Sequence, residues 1–238
     1  MSEESSDVKT ASAAQATAAL TEADFNRILT LAKSDLPQAQ AEAARLCHLH
    51  RRQPALENLH GVILNQMGAY QDAAHAFQRA VDIEPGFLDA LNNLAATFGK
   101  LNSDQQAVEC YEQLLATTQE DPEIFYNYGN SLVKLDRNDD ALDAYQRALH
   151  LSPRFAAAYN NLGNALNKLG DTAQAQACYE NVLDIDPNHD EASRNLALAY
   201  SNEGQFQAAE AHYQRLLSRN PHDADALLGV ATCRIREG

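Results

Sequence analysis

Four asparagines, Asn93, Asn127, Asn161 and Asn195, recur every 34 residues, and their side chain sets the chemistry open to them. A carboxamide carries two N–H donors and an acceptor oxygen, so it can pair with the N–H and C=O of an extended peptide whatever that peptide's side chains are. Asn130 and Asn164 extend the row, and Lys100, Lys134 and Lys168 recur with the same period. Asn costs roughly 0.5 kcal/mol relative to Ala inside a helix. Its repetition on one helical face is therefore expected to serve recognition or to record duplication from one ancestral unit. The lysines either attract acidic groups of a partner or complement the C-terminal end of a helix dipole.

The remaining reactive side chains suggest no catalysis and no cofactor. The sequence contains no glycine-rich phosphate loop, no HExxH and no nucleophile elbow, and its carboxylates read as solvent-facing. His48 and His50 stand two residues apart and project to different sides of a helix, which does not suit a shared metal ion. Cys47, Cys110, Cys178 and Cys233 are widely spaced with no CxxC pair, so neither a zinc site nor a disulfide framework is expected. They read as reduced, small apolar fillers.

The elements that position the asparagine row follow from a strict repeat. Pro153, Pro187 and Pro221 are 34 residues apart, Pro85 keeps the same phase, and Gln119 fills the intermediate slot. Five units then run 54–87, 88–121, 122–155, 156–189 and 190–223. With Pro54 as position 1, position 20 is always Ala (Ala73, Ala107, Ala141, Ala175, Ala209), and position 24 is always aromatic (Phe77, Tyr111, Tyr145, Tyr179, Tyr213). Position 8 is Gly or Ala, and position 11 is Leu, Phe or Tyr.

At 100° per residue, positions 4, 7, 8, 11 and 14 form the packing stripe of a first helix, and positions 20, 24, 27 and 28 that of a second. The asparagines at position 6, with positions 2, 9 and 13, lie on the opposite side of the first helix. Gly68, Gly170, Gly204 and Asn102 suit a left-handed helix stop. Ser103 to Gln106 reads as a capping box and Asp171 as a helix cap. Small residues at 8 and 20 let the paired helices approach closely, so Ala175→Leu is expected to cost roughly 1–3 kcal/mol by overpacking.

Small residues at 8 and 20, an aromatic at 24 and Pro at 32 in a helix-turn-helix unit resemble the tetratricopeptide repeat (TPR) family. The resemblance implies an all-α fold, a right-handed alpha-alpha superhelix or TPR solenoid, over 54–223. Residues 21–53 resemble a divergent unit with Ala39 and Leu46 in phase and Ala43 at the aromatic slot, and residues 224–238 resemble a first helix only, ending at a turn glycine, Gly238. Residues 1–20, rich in Ser, Ala, Thr and Glu, read as a disordered tail.

The asparagine row resembles that lining the groove of O-linked N-acetylglucosamine transferase repeats, through Tyr159-Asn160-Asn161-Leu162-Gly163-Asn164. That likeness implies peptide binding, not glycosyl transfer. The carboxylate clamp of chaperone-binding members is matched only at Asn130 and Asn161, since Tyr126, Glu191 and Asn195 occupy slots where it needs other residues.

Charge and hydropathy limit the partners. A formal charge of −15, from 33 acidic and 18 basic side chains, opposes phosphate backbones. No window is apolar enough to span a bilayer, and the first residues lack a secretory signal. A cytoplasmic chain that binds protein rather than nucleic acid is expected. Three readings stay open: a scaffold holding an extended peptide in its concave groove, the substrate-recruiting part of a larger bacterial glycosyltransferase, sulfotransferase or hydroxylase, and a self-assembling scaffold whose open end, with Leu227, Val230 and Ile235, stacks on a second copy.

Overall fold

The computed structural model describes residues 19–118 and 121–237. Within them the chain is all-α, with thirteen helices and no strand. It divides into two compact units, residues up to Thr117 and residues from Thr118 onward.

The first unit holds α1 (Glu22–Ser34), α2 (Leu36–Leu49), α3 (Pro54–Gln66), α4 (Tyr70–Ile83), α5 (Leu88–Lys100) and α6 (Asp104–Leu115). The second holds α7 (Pro122–Lys134), α8 (Asn138–Leu151), α9 (Ala156–Lys168), α10 (Thr172–Ile185), α11 (Asp190–Asn202), α12 (Phe206–Arg219) and α13 (Ala224–Glu237). In each unit consecutive helices pack as hairpins, and each hairpin packs on the next. Residues 1–18 of the expected tail, Gln119 and the expected turn glycine Gly238 lie outside the described residues. Leu20, assigned to the tail from sequence, instead packs on the first core with Ile28, Ala39 and Leu46, because Thr21 starts α1 with a reciprocal capping box to Asp24.

The same device ends the first helix of five successive hairpins. Gly68, Asn102, Asp136, Gly170 and Gly204 all have positive φ, between 55° and 86°. The following N–H bonds back five residues, from Ala69 to Leu64, Ser103 to Phe98, Arg137 to Leu132, Asp171 to Leu166 and Gln205 to Tyr200. This is the Schellman arrangement, which closes the carbonyls left open at a helix end. Asp171 then caps α10 by accepting from Gln174 N at 3.1 Å. The capping box expected at Ser103 does not form: Ser103 makes no side-chain cap bond, and α6 starts from the turn geometry alone.

The cores follow the repeat. All five position-20 alanines are fully buried, and the position-24 rings are at most 6% exposed. Three of the rings lie over the glycine at position 8: a Cβ added to Gly61, Gly129 or Gly163 would fall within 2.7 Å of Phe77, Tyr145 or Tyr179. The sequence stripe was too narrow, however. Positions 3 and 10 are buried as well, as Leu56, Ala90, Ile124, Ala158 and Ala192, and as Ile63, Thr97, Ser131, Ala165 and Ala199. A first helix packs on its own partner and on the neighbouring hairpins, so its buried arc exceeds that of a helix with one partner.

In the second unit Arg194 holds Asp223 through two bonds, Nη1 to Oδ1 at 3.1 Å and Nη2 to Oδ2 at 2.9 Å. Asp223 also accepts from Ala226 N, at the start of α13. The guanidinium and that N–H hold its carboxyl down to about 2, below the unfolded value near 3.9. Its contribution to stability is thus complete above about pH 4 and is lost as pH falls through about 2. Melting temperature measured across that window should fall more steeply for the parent than for Asp223→Asn.

Candidate functional site

The asparagine row lies on the first helices, but it is not an unoccupied face. In the second unit Asn161 on α9 donates from Nδ2 to Asn130 Oδ1 on α7 at 2.7 Å and to the Tyr126 hydroxyl at 3.3 Å. Asn195 on α11 repeats the first bond to Asn164 Oδ1 on α9 at 2.9 Å. The same two oxygens accept from the position-24 hydroxyls, Tyr145 to Asn130 at 2.8 Å and Tyr179 to Asn164 at 2.9 Å. Asn at position 9 is therefore the acceptor at which a hairpin's own second helix and the next hairpin meet.

In the first unit Asn93 on α5 donates to Asn58 Oδ1 on α3 at 3.0 Å, and its backbone carbonyl accepts from Thr97 at 2.6 Å. Asn127 on α7 likewise accepts from Ser131 at its carbonyl. The row therefore has structural duties of its own: where Asn stands at both 6 and 9, in the second unit, one amide donates to the other's oxygen across successive hairpins.

Each lysine of the row is the last residue of its helix, where a cation complements the helix dipole. Lys100 also donates to Asn65 Oδ1 at 2.8 Å and sits 5.1 Å over the Tyr70 ring. Lys168 pairs with Asp136 at 2.6 Å, the residue whose positive φ ends the preceding first helix. These contacts stitch one hairpin to the next.

The structure brings Asn130, Asn161, Asn164, Lys134 and Lys168 together in the second unit around a cavity of about 530 Å³, with Val133 and Tyr145 as apolar wall. Burial pushes the Tyr145 phenol well above its usual range, so its hydroxyl stays a donor. The Nδ2 groups of Asn130 and Asn164 take no part in the bonds described above. Asn93 and Lys100 belong to the first unit and do not line this cavity.

Two further features escaped the sequence reading. Glu42 and Glu57 are buried rather than solvent-facing, and Glu57 adjoins Cys47 and His60 beside a second cavity, of about 460 Å³, in the first unit. The Glu57-x-x-His60 spacing within a packing stripe was the available signal. On α13, Leu227 and Ile235 are exposed, whereas Val230, grouped with them from sequence, packs inward on the Tyr213 cluster. Among the described residues no helix is long and apolar enough to cross a membrane.

Two models described as tetratricopeptide repeat match residues 154–221 and 64–126, and one described as TPR repeat matches 129–170. No curated protein sequence matches the chain. Similar solved structures include MamA from Desulfovibrio magneticus RS-1, at 18% identity and TM-score 0.68 over 72% of this chain and 99% of that one. YrrB, described as a TPR protein with an unusual peptide-binding site, aligns at 20% identity and TM-score 0.67 over 78% and 95%. TTC0263, a thermophilic TPR protein of Thermus thermophilus, aligns at 26% identity and TM-score 0.55 over 77% and 100%.

Proposed function

The chain belongs to the tetratricopeptide repeat family, and from that premise we propose that it is a non-catalytic protein-interaction scaffold that binds an extended peptide along the first helices of its second unit. The observation that carries this reading is the cavity of about 530 Å³ lined by Asn130, Asn161, Asn164, Lys134 and Lys168. Amide and ammonium donors converge there beside an apolar wall, a combination that suits the carbonyl oxygens of an extended chain and one of its apolar side chains. Extended chain rises about 3.3 Å per residue and adjacent helices lie about 8–10 Å apart, so equivalent amides would meet roughly every third peptide residue.

The internal bonds of the row contribute to stability as well as to any binding. Asn161→Ala should lower stability by about 0.5–1.5 kcal/mol even without a ligand, since Asn130 and Tyr126 each lose a donor; a thermal melt checks it. Peptides selected from a random display library on the purified chain provide the binding probe. Lys168→Ala and Val133→Ser leave the asparagine bonds in place, and each should weaken the selected peptides by an amount comparable to one lost contact, about 0.5–1.5 kcal/mol. Affinity unchanged in both, with melting temperature unchanged, would remove the cavity from the binding surface.

A further inference from the structure

In the packing stripe of the second to fifth repeats, position 4 is Leu91, Phe125, Tyr159 and Ser193, and position 7 is Leu94, Tyr128, Leu162 and Leu196. The first repeat departs from this pattern at both places, with Glu57 and His60. The preceding hairpin departs at position 28, where Cys47 stands in place of the Val81, Leu115, Leu149, Leu183 and Leu217 of the repeats. The three exceptions converge. Glu57 and His60 share one face of α3 as an i, i+3 pair, and Cys47 reaches them from α2, so that Sγ, a carboxylate oxygen and an imidazole nitrogen lie within 4.8 Å of one another.

Burial of His60 without a partner makes this arrangement costly as it stands. Glu57 and His60 are each 8% exposed, and neither ring nitrogen of His60 has a hydrogen-bond partner. Leaving such a group unpaired costs about 1–3 kcal/mol. Arg79 binds one oxygen of Glu57, Nε at 3.0 Å and Nη2 at 2.8 Å both on Oε2. Burial lowers the proton affinity of His60 and pushes the Cys47 thiol up to about 12. A thiol so strongly protonated is no nucleophile.

We propose that Cys47, Glu57 and His60 bind a zinc ion. Thiolate, imidazole and carboxylate together match its ligand preference and not that of the oxygen-binding cations. Tetrahedral bonds of about 2.0–2.3 Å place donor atoms about 3.3–3.8 Å apart, so from a spread of 4.8 Å the side chains need close by at most about 1–1.5 Å. Binding exchanges the Cys47 proton for the cation, which replaces the lost S–H and satisfies an imidazole nitrogen at once. Arg79 then takes the part of an outer-sphere group that fixes a ligating carboxylate. Three protein donors leave a fourth position for water or an outside ligand, and the adjoining cavity of about 460 Å³ provides the access. The ion would tie α2 to α3 and so lock the divergent first hairpin onto the regular repeats.

The test uses the full chain, reduced and stripped with a chelator, and titrates it with Co²⁺ as a spectroscopic substitute for zinc. One ion per chain should bind, with sulfur-to-cobalt charge transfer and the visible bands of a tetrahedral site, and Zn²⁺ should displace it. Cys47→Ser should abolish the charge-transfer band and His60→Gln should weaken binding, whereas Cys110→Ser and Cys178→Ser should each keep the band. Absence of that band in the parent, or its survival in Cys47→Ser, overturns the proposal. Should either variant lose its helical circular dichroism, X-ray absorption of the zinc-loaded parent decides instead: one sulfur among nitrogen and oxygen neighbours supports the site, and a sulfur-free shell rejects it.

Discussion

Tyr179→Ala should destabilise the chain by about 3–5 kcal/mol, the cost of truncating a buried aromatic in a core that cannot collapse around the gap. Tyr179 is 1% exposed, its ring covers Gly163, and its hydroxyl donates to Asn164 at 2.9 Å. The alanine variant therefore loses ring packing and one of the two donors to Asn164 together. Tyr179→Phe separates the two effects. It keeps the ring and removes only the hydroxyl bond, for about 0.5–1.5 kcal/mol, with Asn195 still donating to Asn164 at 2.9 Å. Denaturant melts of the two variants should thus differ severalfold in ΔΔG. Equal losses would mean that the hydroxyl, not the ring, carries this layer. Because repeats couple to their neighbours, the alanine variant should also broaden the transition.

Gly163→Ala and Gly99→Ala should shift stability in opposite directions. Replacing a helical glycine by alanine gains up to about 1 kcal/mol in helix propensity. At Gly99, near the end of α5, an added Cβ meets no atom within 4 Å, so that gain should appear in full or in part. At Gly163 the Cβ would lie 2.7 Å from Tyr179 Cε1, and the ring cannot swing aside while its hydroxyl is bonded to Asn164. Overpacking costs about 1–3 kcal/mol and outweighs the propensity gain. Thermal melts of the two variants measure both signs in one experiment. The alanines at the same position in other repeats, Ala95 and Ala197, are buried at 0%, so the demand for glycine is set hairpin by hairpin.

The metal proposal and the peptide-binding reading concern different units and fail independently. Cys47, Glu57 and His60 belong to α2 and α3 in the first unit, whereas Asn130, Asn161, Asn164, Lys134 and Lys168 belong to α7 and α9 in the second. A zinc-dependent rise in melting temperature would leave peptide affinity untested, and peptide selection can succeed on chain stripped of metal.

The repeat was legible in the sequence because its causes are local. A 34-residue recurrence of Ala at position 20 and an aromatic at position 24 fixes which helix faces meet within a hairpin, and Gly or Asn at position 15 in four of the five repeats, with Asp136 in the other, fixes where the first helix stops through a backbone conformation those residues tolerate. What lies between hairpins could not be read in the same way. The pairing of Asn161 with Asn130 and of Asn195 with Asn164, the burial of positions 3 and 10, and the convergence of Cys47 on Glu57 and His60 all depend on the rotation and offset of one hairpin against the next. That offset is set by the summed packing of many side chains on two or three neighbouring helices, and no periodicity along a single helix encodes it.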